Sequence, residues 1–120
     1  MRVALAEDDH DLRQALADTL RDAGIDVVEA ASGNQLLAIV RTTQVALVVT
    51  DLMMPGLRGD DVLRLFRSAG DRTPYLIITA APTWIVDALA DEDRVTVLRK
   101  PFTVDAILAA VTRALASDQQ

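Results

Sequence analysis

The sequence predicts an α/β domain, a parallel sheet with helices packed on both faces. Three observations carry this. Short apolar runs alternate strictly with longer amphipathic ones. The central short runs, "VALVV" (45–49) and "YLIIT" (75–79), are apolar at consecutive positions and so on both strand faces, as buried parallel strands are. The polar groups with chemistry to offer stand just where those runs end.

In chain order, "RVALA" (2–6) reads as the first strand. "DLRQALADTLRDAG" (11–24) reads as a helix with Leu12, Ala15, Leu16, Leu20 and Ala23 on one stripe and Gly24 as its stop. Asp9 is placed to cap that helix. "IDVVEA" (25–30) is the second strand. "SGNQLLAIVRT" (32–42) opens with Ser32 three residues before Gln35, a capping-box signature. "VALVV" is the third strand, and "GDDVLRLFRSAG" (59–70) a helix with Val62, Leu65, Phe66 and Ala69 inward. "PYLIIT" (74–79) is the fourth strand, "TWIVDALA" (83–90) a short helix and "RVTVLR" (94–99) the fifth strand. "TVDAILAAVTRALA" (103–116) closes the chain with Val104, Ile107, Leu108, Val111 and Leu115 inward. Five strands and five helices result, in a single domain over 1–120, with residues 116–120 read as a frayed tail or the start of a linker. Trp84 is read as core, with an exposed anchor for a partner as the alternative.

Composition narrows the function. At 120 residues and 51% hydrophobic, the chain suits one compact domain with its own core. No apolar stretch approaches the roughly 20 residues of a membrane span, and "MRVALAEDDH" turns acidic too early for a secretory signal, so a cytoplasmic protein without a membrane partner is expected. Without cysteine there is neither disulfide nor thiolate chemistry, and a single histidine cannot build the usual zinc site. A net charge of -6 argues against direct nucleic-acid binding, which needs a basic face.

The polar strand ends carry the rest. Glu7, Asp8 and Asp9 follow the first strand, Asp51 the third, Thr79 ends the fourth, and Lys100 follows the fifth. Four pieces in order, "RVALAEDDHDLRQAL", "VVTDLMMPGLRG", "LIITA" and "LRKPF", resemble the receiver domains of two-component response regulators, the CheY-like superfamily, over the whole chain. The resemblance implies a flavodoxin-like, doubly wound five-stranded sheet in the order 2-1-3-4-5. It implies Mg²⁺-dependent phosphoryl transfer from a histidine kinase or phosphotransfer protein to Asp51, and a change of conformation near the fourth helix and fifth strand. It also implies a signalling switch that catalyses its own phosphorylation and slow dephosphorylation. Its output would be a downstream protein or an attached output domain, with a homodimer left open, and the kinase would dock near Arg13 and Gln14. A stand-alone regulator and a receiver cut from a longer regulator or hybrid kinase fit the chain equally.

The chemistry suits these residue types. An aspartate can attack phosphorus and carry the phosphoryl group as an acyl phosphate. Anion meeting anion requires neutralisation, which a hard divalent cation on oxygen ligands supplies. Glu7 and Asp8 would hold Mg²⁺ with Asp51; by resemblance Asp8 ligates directly, Glu7 through water, and the backbone carbonyl of Met53 joins them. Crowded carboxylates repel, so at least one should have a raised pKa without the ion. Lys100, the lone lysine beside 11 arginines, offers a compact charge for Asp51 and then for a phosphoryl oxygen. The Thr79 hydroxyl and the Ala80 amide are the expected phosphoryl donors.

Blander readings stand beside these. Asp51 could merely cap a loop, and Glu7 and Asp8 could form a solvated acidic turn. His10 reads as an exposed first-turn residue, Asp60 and Asp61 as first-turn charges suited to the helix dipole, and Met53 and Met54 as loop packing. Pro55, Gly56 and Gly59 shape the turn after Asp51. The sequence departs from the family at Val97, where many receivers carry a switching Tyr or Phe; a stiff valine cannot bury and expose a ring. That departure motivates the alternative of a phosphate-independent interaction module. A phosphatase would want an aspartate where Met53 stands, and a flavin protein would want a Ser/Thr/Gly-rich loop where the three acids stand.

Overall fold

The computed structural model describes residues 1–117. Its elements are β1 (Arg2–Ala6), α1 (His10–Asp22), β2 (Asp26–Ala30), α2 (Gly33–Thr42), β3 (Leu47–Asp51), α3 (Gly59–Ser68), β4 (Tyr75–Thr79), α4 (Thr83–Ala90), β5 (Val95–Arg99) and α5 (Val104–Ser117). The strands form one parallel sheet in the expected order, β2-β1-β3-β4-β5. Helix α5 takes in Ala116 and Ser117, which the sequence assigned to the tail, and residues 118–120 of that tail lie outside the described residues.

Alternation along each strand divides the apolar side chains between two cores. Val3, Leu5, Leu47, Val49, Leu76 and Ile78 face α1 and α5, and meet Leu16, Ala17, Leu20, Ile107, Val111 and Leu115. Ala4, Ala6, Val48, Tyr75 and Ile77 face α2, α3 and α4, and meet Leu36, Val62, Leu63 and Leu89. Strands buried on both faces have no solvent side to mark with polar residues, which is why "VALVV" and "YLIIT" read as continuous runs.

The helix ends follow local chemistry. Asp9 caps α1, its Oδ1 accepting from the amides of Asp11 (3.1 Å) and Leu12 (3.2 Å), as expected. Ser32 Oγ accepts from the Gln35 amide at 3.1 Å, while Gln35 Oε1 reaches one residue further back than a strict capping box, to the Ala31 amide at 2.7 Å. On α3, Asp61 bonds back to the Arg58 amide at 3.0 Å.

Several expected inward positions lie at the surface. Leu65 and Val104 are half exposed and Trp84 is 73% exposed, so Trp84 is no core residue. Ala15, Ala23 and Ala69 are also exposed; Ala17, Leu63 and Ala110 take the buried places instead. The stripes hold at Leu16, Leu20, Val62, Ile107, Val111 and Leu115 and differ at their edges, because alanine and leucine occur on both sides of each stripe and only packing against a given strand decides between them. Strand β3 begins and ends two residues later than its hydropathy suggests. Pairing with β1 runs from Val3–Leu47 to Ala6–Thr50, so ladder bonds carry the strand through two polar residues to Asp51.

Candidate functional site

The chain passes from β1 to β2 on one side and then returns to β3 on the other, so the crevice at the C-terminal ends of β1 and β3 is the topological switch point. Glu7 follows β1 directly, and Asp51 is the last residue of β3. Both are buried, at 1% and 5% exposure, whereas Asp8 is exposed at the rim. Carboxylate oxygens of Glu7, Asp8 and Asp51 all lie within 4.8 Å of one another. Sequence positions 7, 8 and 51 thus meet in one cluster.

Lys100 arrives from the far side of the sheet, immediately after β5. Its Nζ donates to Asp51 Oδ2 at 2.6 Å and to Glu7 Oε1 at 2.9 Å. The other oxygens of these acids take backbone amides: Met53 N donates to Asp51 Oδ1 at 3.0 Å, and Asp9 N to Glu7 Oε2 at 3.3 Å. The Lys100–Pro101 peptide that delivers this side chain is cis. Met53 itself has an exposed side chain. Gly59 allows the close approach of α3 to the strand end. A Cβ there would lie 2.5 Å from the Asp51 carbonyl oxygen and 2.9 Å from Thr50 Oγ1, so only glycine fits without a shift.

The charges shape one another. Burial, the largest influence, pushes the Glu7 carboxyl up to about 7; Lys100 opposes this, and the negative charges of Asp51 and Asp8 add to it. The expected raised carboxyl is therefore Glu7, with burial ahead of mutual repulsion as the cause. Burial disfavours the Lys100 ammonium, yet Asp51 and Glu7 outweigh it and leave the pKa above the ordinary lysine value. The result is a cation shared by two acids, one of which, Glu7, titrates close to neutral pH.

Three oxygen donors so close, with no sulfur or imidazole among them, fit a hard divalent cation such as Mg²⁺. Thr79 ends β4 fully buried, and its Oγ1 accepts from the Ala81 amide at 2.9 Å; Ala80 between them is exposed. Val97 is half buried against the α2/α3/α4 core. An apolar hollow of about 420 Å³, lined by Leu12, Ala80, Lys100, Pro101 and Phe102, shares Lys100 with the acid cluster.

Some contacts were not legible in the sequence. Arg13, expected on the exposed side of α1, turns inward: its guanidinium donates to the Glu7 carbonyl at 2.7 Å and pairs with Glu29 at 3.3 Å. An arginine six residues after Glu7, on the flank of a helix that returns over the strand, was the available signal. Asp60 does more than suit a dipole, for it is buried and bonded by Arg58 (2.9 Å) and Arg64 (2.8 Å). Arg99 donates to the Ala81 carbonyl at 3.2 Å.

Known proteins agree with this geometry. The sequence profile of the response regulator receiver domain matches residues 3–112. The chain is 36% identical over 114 residues to the response regulator protein FleR of Pseudomonas aeruginosa, covering 93% of this chain and 24% of FleR. It is 35% identical over 114 residues to the response regulator MprA of Mycolicibacterium vanbaalenii, covering 91% of this chain and 48% of MprA. The chain thus spans half or less of the length of these relatives. The receiver domain of the Francisella response regulator 1452 superposes with a TM-score of 0.88 at 28% identity, covering 97% of both chains. Sheet order, strand-end acids and sequence likeness converge: the chain belongs to the response regulator receiver domain family of two-component signalling.

Proposed function

We propose that this domain accepts a phosphoryl group on Asp51 from a histidine kinase or phosphotransfer protein and switches conformation around α4 and β5 in response. The observation that carries the reading is the Lys100 ammonium bonded at once to Asp51 and Glu7, inside a cluster of three carboxylates at the switch point. Glu7, Asp8, Asp51 and the Met53 carbonyl would hold Mg²⁺. When bound, that ion supplies positive charge to phosphoryl oxygens that an anionic acceptor must approach.

The chain's own residues account for the remaining steps. An Asp51 carboxylate oxygen attacks phosphorus, and the new P–O bond forms as the P–N bond of the donor phosphohistidine breaks, the imidazole leaving with a proton. Lys100, already on Asp51, is within reach of the incoming phosphoryl oxygens and neutralises them. The Met53 amide on Asp51 Oδ1 orients the carboxylate. Thr79 and the Ala80 amide then donate to the bound phosphoryl group. These bonds exist only in the modified state, as a switch requires. Water attack on the acyl phosphate resets the domain slowly, so it acts as a switch more than as a turnover enzyme.

The apolar hollow beside Lys100 supports docking of the phosphoryl donor across α1 and the β5–α5 loop, where Leu12, on the helix that carries Arg13 and Gln14, and Phe102 offer apolar surface. Output passes to a downstream protein, an attached domain or a second copy. The location is cytoplasmic, in keeping with described helices that are too short or too polar to cross a membrane. Intact-mass measurement after incubation with Mg²⁺ and acetyl phosphate tests the reading: a phosphoryl adduct is expected on the wild type and not on Asp51→Asn, and an adduct that survives the substitution refutes it.

Val97 favours a second reading, an interaction module whose output ignores phosphate, because no ring is present to move. It predicts an adduct without any change in Trp84 emission or in amide shifts near Thr79.

A further inference from the structure

Ala81 is held twice within a single residue. Its amide donates to Thr79 Oγ1 at 2.9 Å, and its carbonyl accepts from Arg99 Nη2 at 3.2 Å. Thr79 and Arg99 are register partners across β4 and β5, so the two tethers leave the sheet from one rung of the ladder. Arg99 lies two residues beyond Val97 and four beyond Val95, both packed on the α2/α3/α4 core, and therefore projects from the same face of β5. Ala81 is 5% exposed, and α4 begins two residues later, at Thr83. At Val97 the strand offers only methyl groups, which can neither bond the loop nor swing.

We propose that Arg99 is a positioning residue that pins the β4–α4 loop at Ala81 in the resting state, and that release of this tether carries the state of Thr79 to α4. The proposal rests on the phosphoacceptor reading and extends it. A threonine hydroxyl that turns to donate to a phosphoryl oxygen on Asp51 withdraws its oxygen from the Ala81 amide. That amide is buried, and a buried donor without a partner is costly, so the loop must move to pair it again. Movement of Ala81 stretches a bond already at 3.2 Å, and the exposed Arg99 head finds water instead. Phosphoryl binding and the Arg99 tether are thus competing states of one element. By linkage, whatever weakens the tether strengthens phosphoryl binding by the same factor.

Amide chemical shifts and beryllofluoride titration in the presence of Mg²⁺ test this on wild type, Arg99→Ala, Arg99→Lys and Asp51→Asn. Before any beryllofluoride is added, Arg99→Ala should move the Ala81, Thr83 and Trp84 amides along the line that beryllofluoride moves them in the wild type. Its half-saturating beryllofluoride concentration should fall about three- to tenfold, the weight of one hydrogen bond. Arg99→Lys retains a donor and should stay near the wild type, which a merely structural role of the guanidinium would not produce. If the wild type responds to beryllofluoride while Arg99→Ala leaves both the resting shifts and the midpoint unchanged, the tether is refuted and the phosphoacceptor reading survives. Shifts of Arg99→Ala spread evenly over the domain also refute it. If the wild type gives neither a beryllofluoride response nor an adduct at Asp51, the phosphoacceptor reading falls, and the tether with it.

Discussion

Replacing Glu7 with glutamine should flatten the pH dependence of stability in the metal-free protein. Burial raises the folded-state pKa of Glu7 from 4.5 to about 7. Between those values the folded state binds the proton that the unfolded chain releases, so stability is complete below 4.5 and is lost as pH rises through about 7. Two and a half units at about 1.36 kcal/mol each give a loss of about 3 kcal/mol across that window. Lys100, with its pKa raised, titrates above the window and does not contribute to the slope. Glutamine keeps one oxygen for the Lys100 ammonium and sets its NH2 against the Asp9 amide, a loss that is the same at every pH, and it cannot ionise. Urea denaturation at pH 5, 6, 7 and 8 in EDTA measures the effect. The wild-type midpoint should drop by about 1 to 3 M relative to Glu7→Gln, given slopes of about 1–3 kcal/mol/M for small domains. Millimolar Mg²⁺ should restore much of the wild-type loss, because the ion selects the carboxylate. Equal slopes for the two proteins, or a wild type that gains stability over Glu7→Gln as pH rises, would show that Glu7 is not the buried acid described.

Other outcomes follow from the same geometry. Lys100→Met leaves Asp51 and Glu7 without their shared cation; broken buried pairs lose about 3–5 kcal/mol, and the partial exposure of Lys100 reduces this to about 2 kcal/mol, seen in urea melts at pH 8 and shrinking at pH 5. Gly59→Ala drives a methyl against the Asp51 carbonyl and should destabilise by about 1–3 kcal/mol, with slower uptake of phosphoryl from acetyl phosphate by intact mass. Asp9→Ala removes the α1 cap and should lower stability by about 1 kcal/mol in a thermal melt, while the adduct still forms because the Asp9 contact to Glu7 is through the backbone. Trp84→Phe should change stability by less than about 0.5 kcal/mol, and Trp84 emission should be close to that of tryptophan in water; a buried-type blue shift would contradict its exposure.

Much of this molecule is legible in the residues because parallel sheets impose a simple grammar. Doubly buried strands must be apolar throughout, so an acid or hydroxyl at the end of such a run, as at Asp51 and Thr79, stands out against its neighbours. The caps at Asp9 and Ser32 are equally local, since each acts within three residues. Helical phase was harder. Leu65 and Leu63 offer similar hydrophobicity, and the choice between them is made by Ala4, Ile77 and the rest of a core assembled from distant segments. Trp84 misleads for the same reason, as its size argues for burial while its place in the first turn of α4 turns it outward. Arginine contacts were hardest of all. Arg13, Arg58, Arg64 and Arg99 look like ordinary surface charges, and a long side chain reveals its partner only once strand order has set the neighbours.

The division of the apolar side chains between two faces of the sheet has a mechanical consequence. The slab of five strands acts as a partition, so repacking between α1 and α5 can drift or be stiffened without disturbing the compartment beneath α4, where the proposed switch would move. An engineer seeking thermal robustness would enlarge or fill the first compartment and leave the second untouched, keeping durability and responsiveness under separate control.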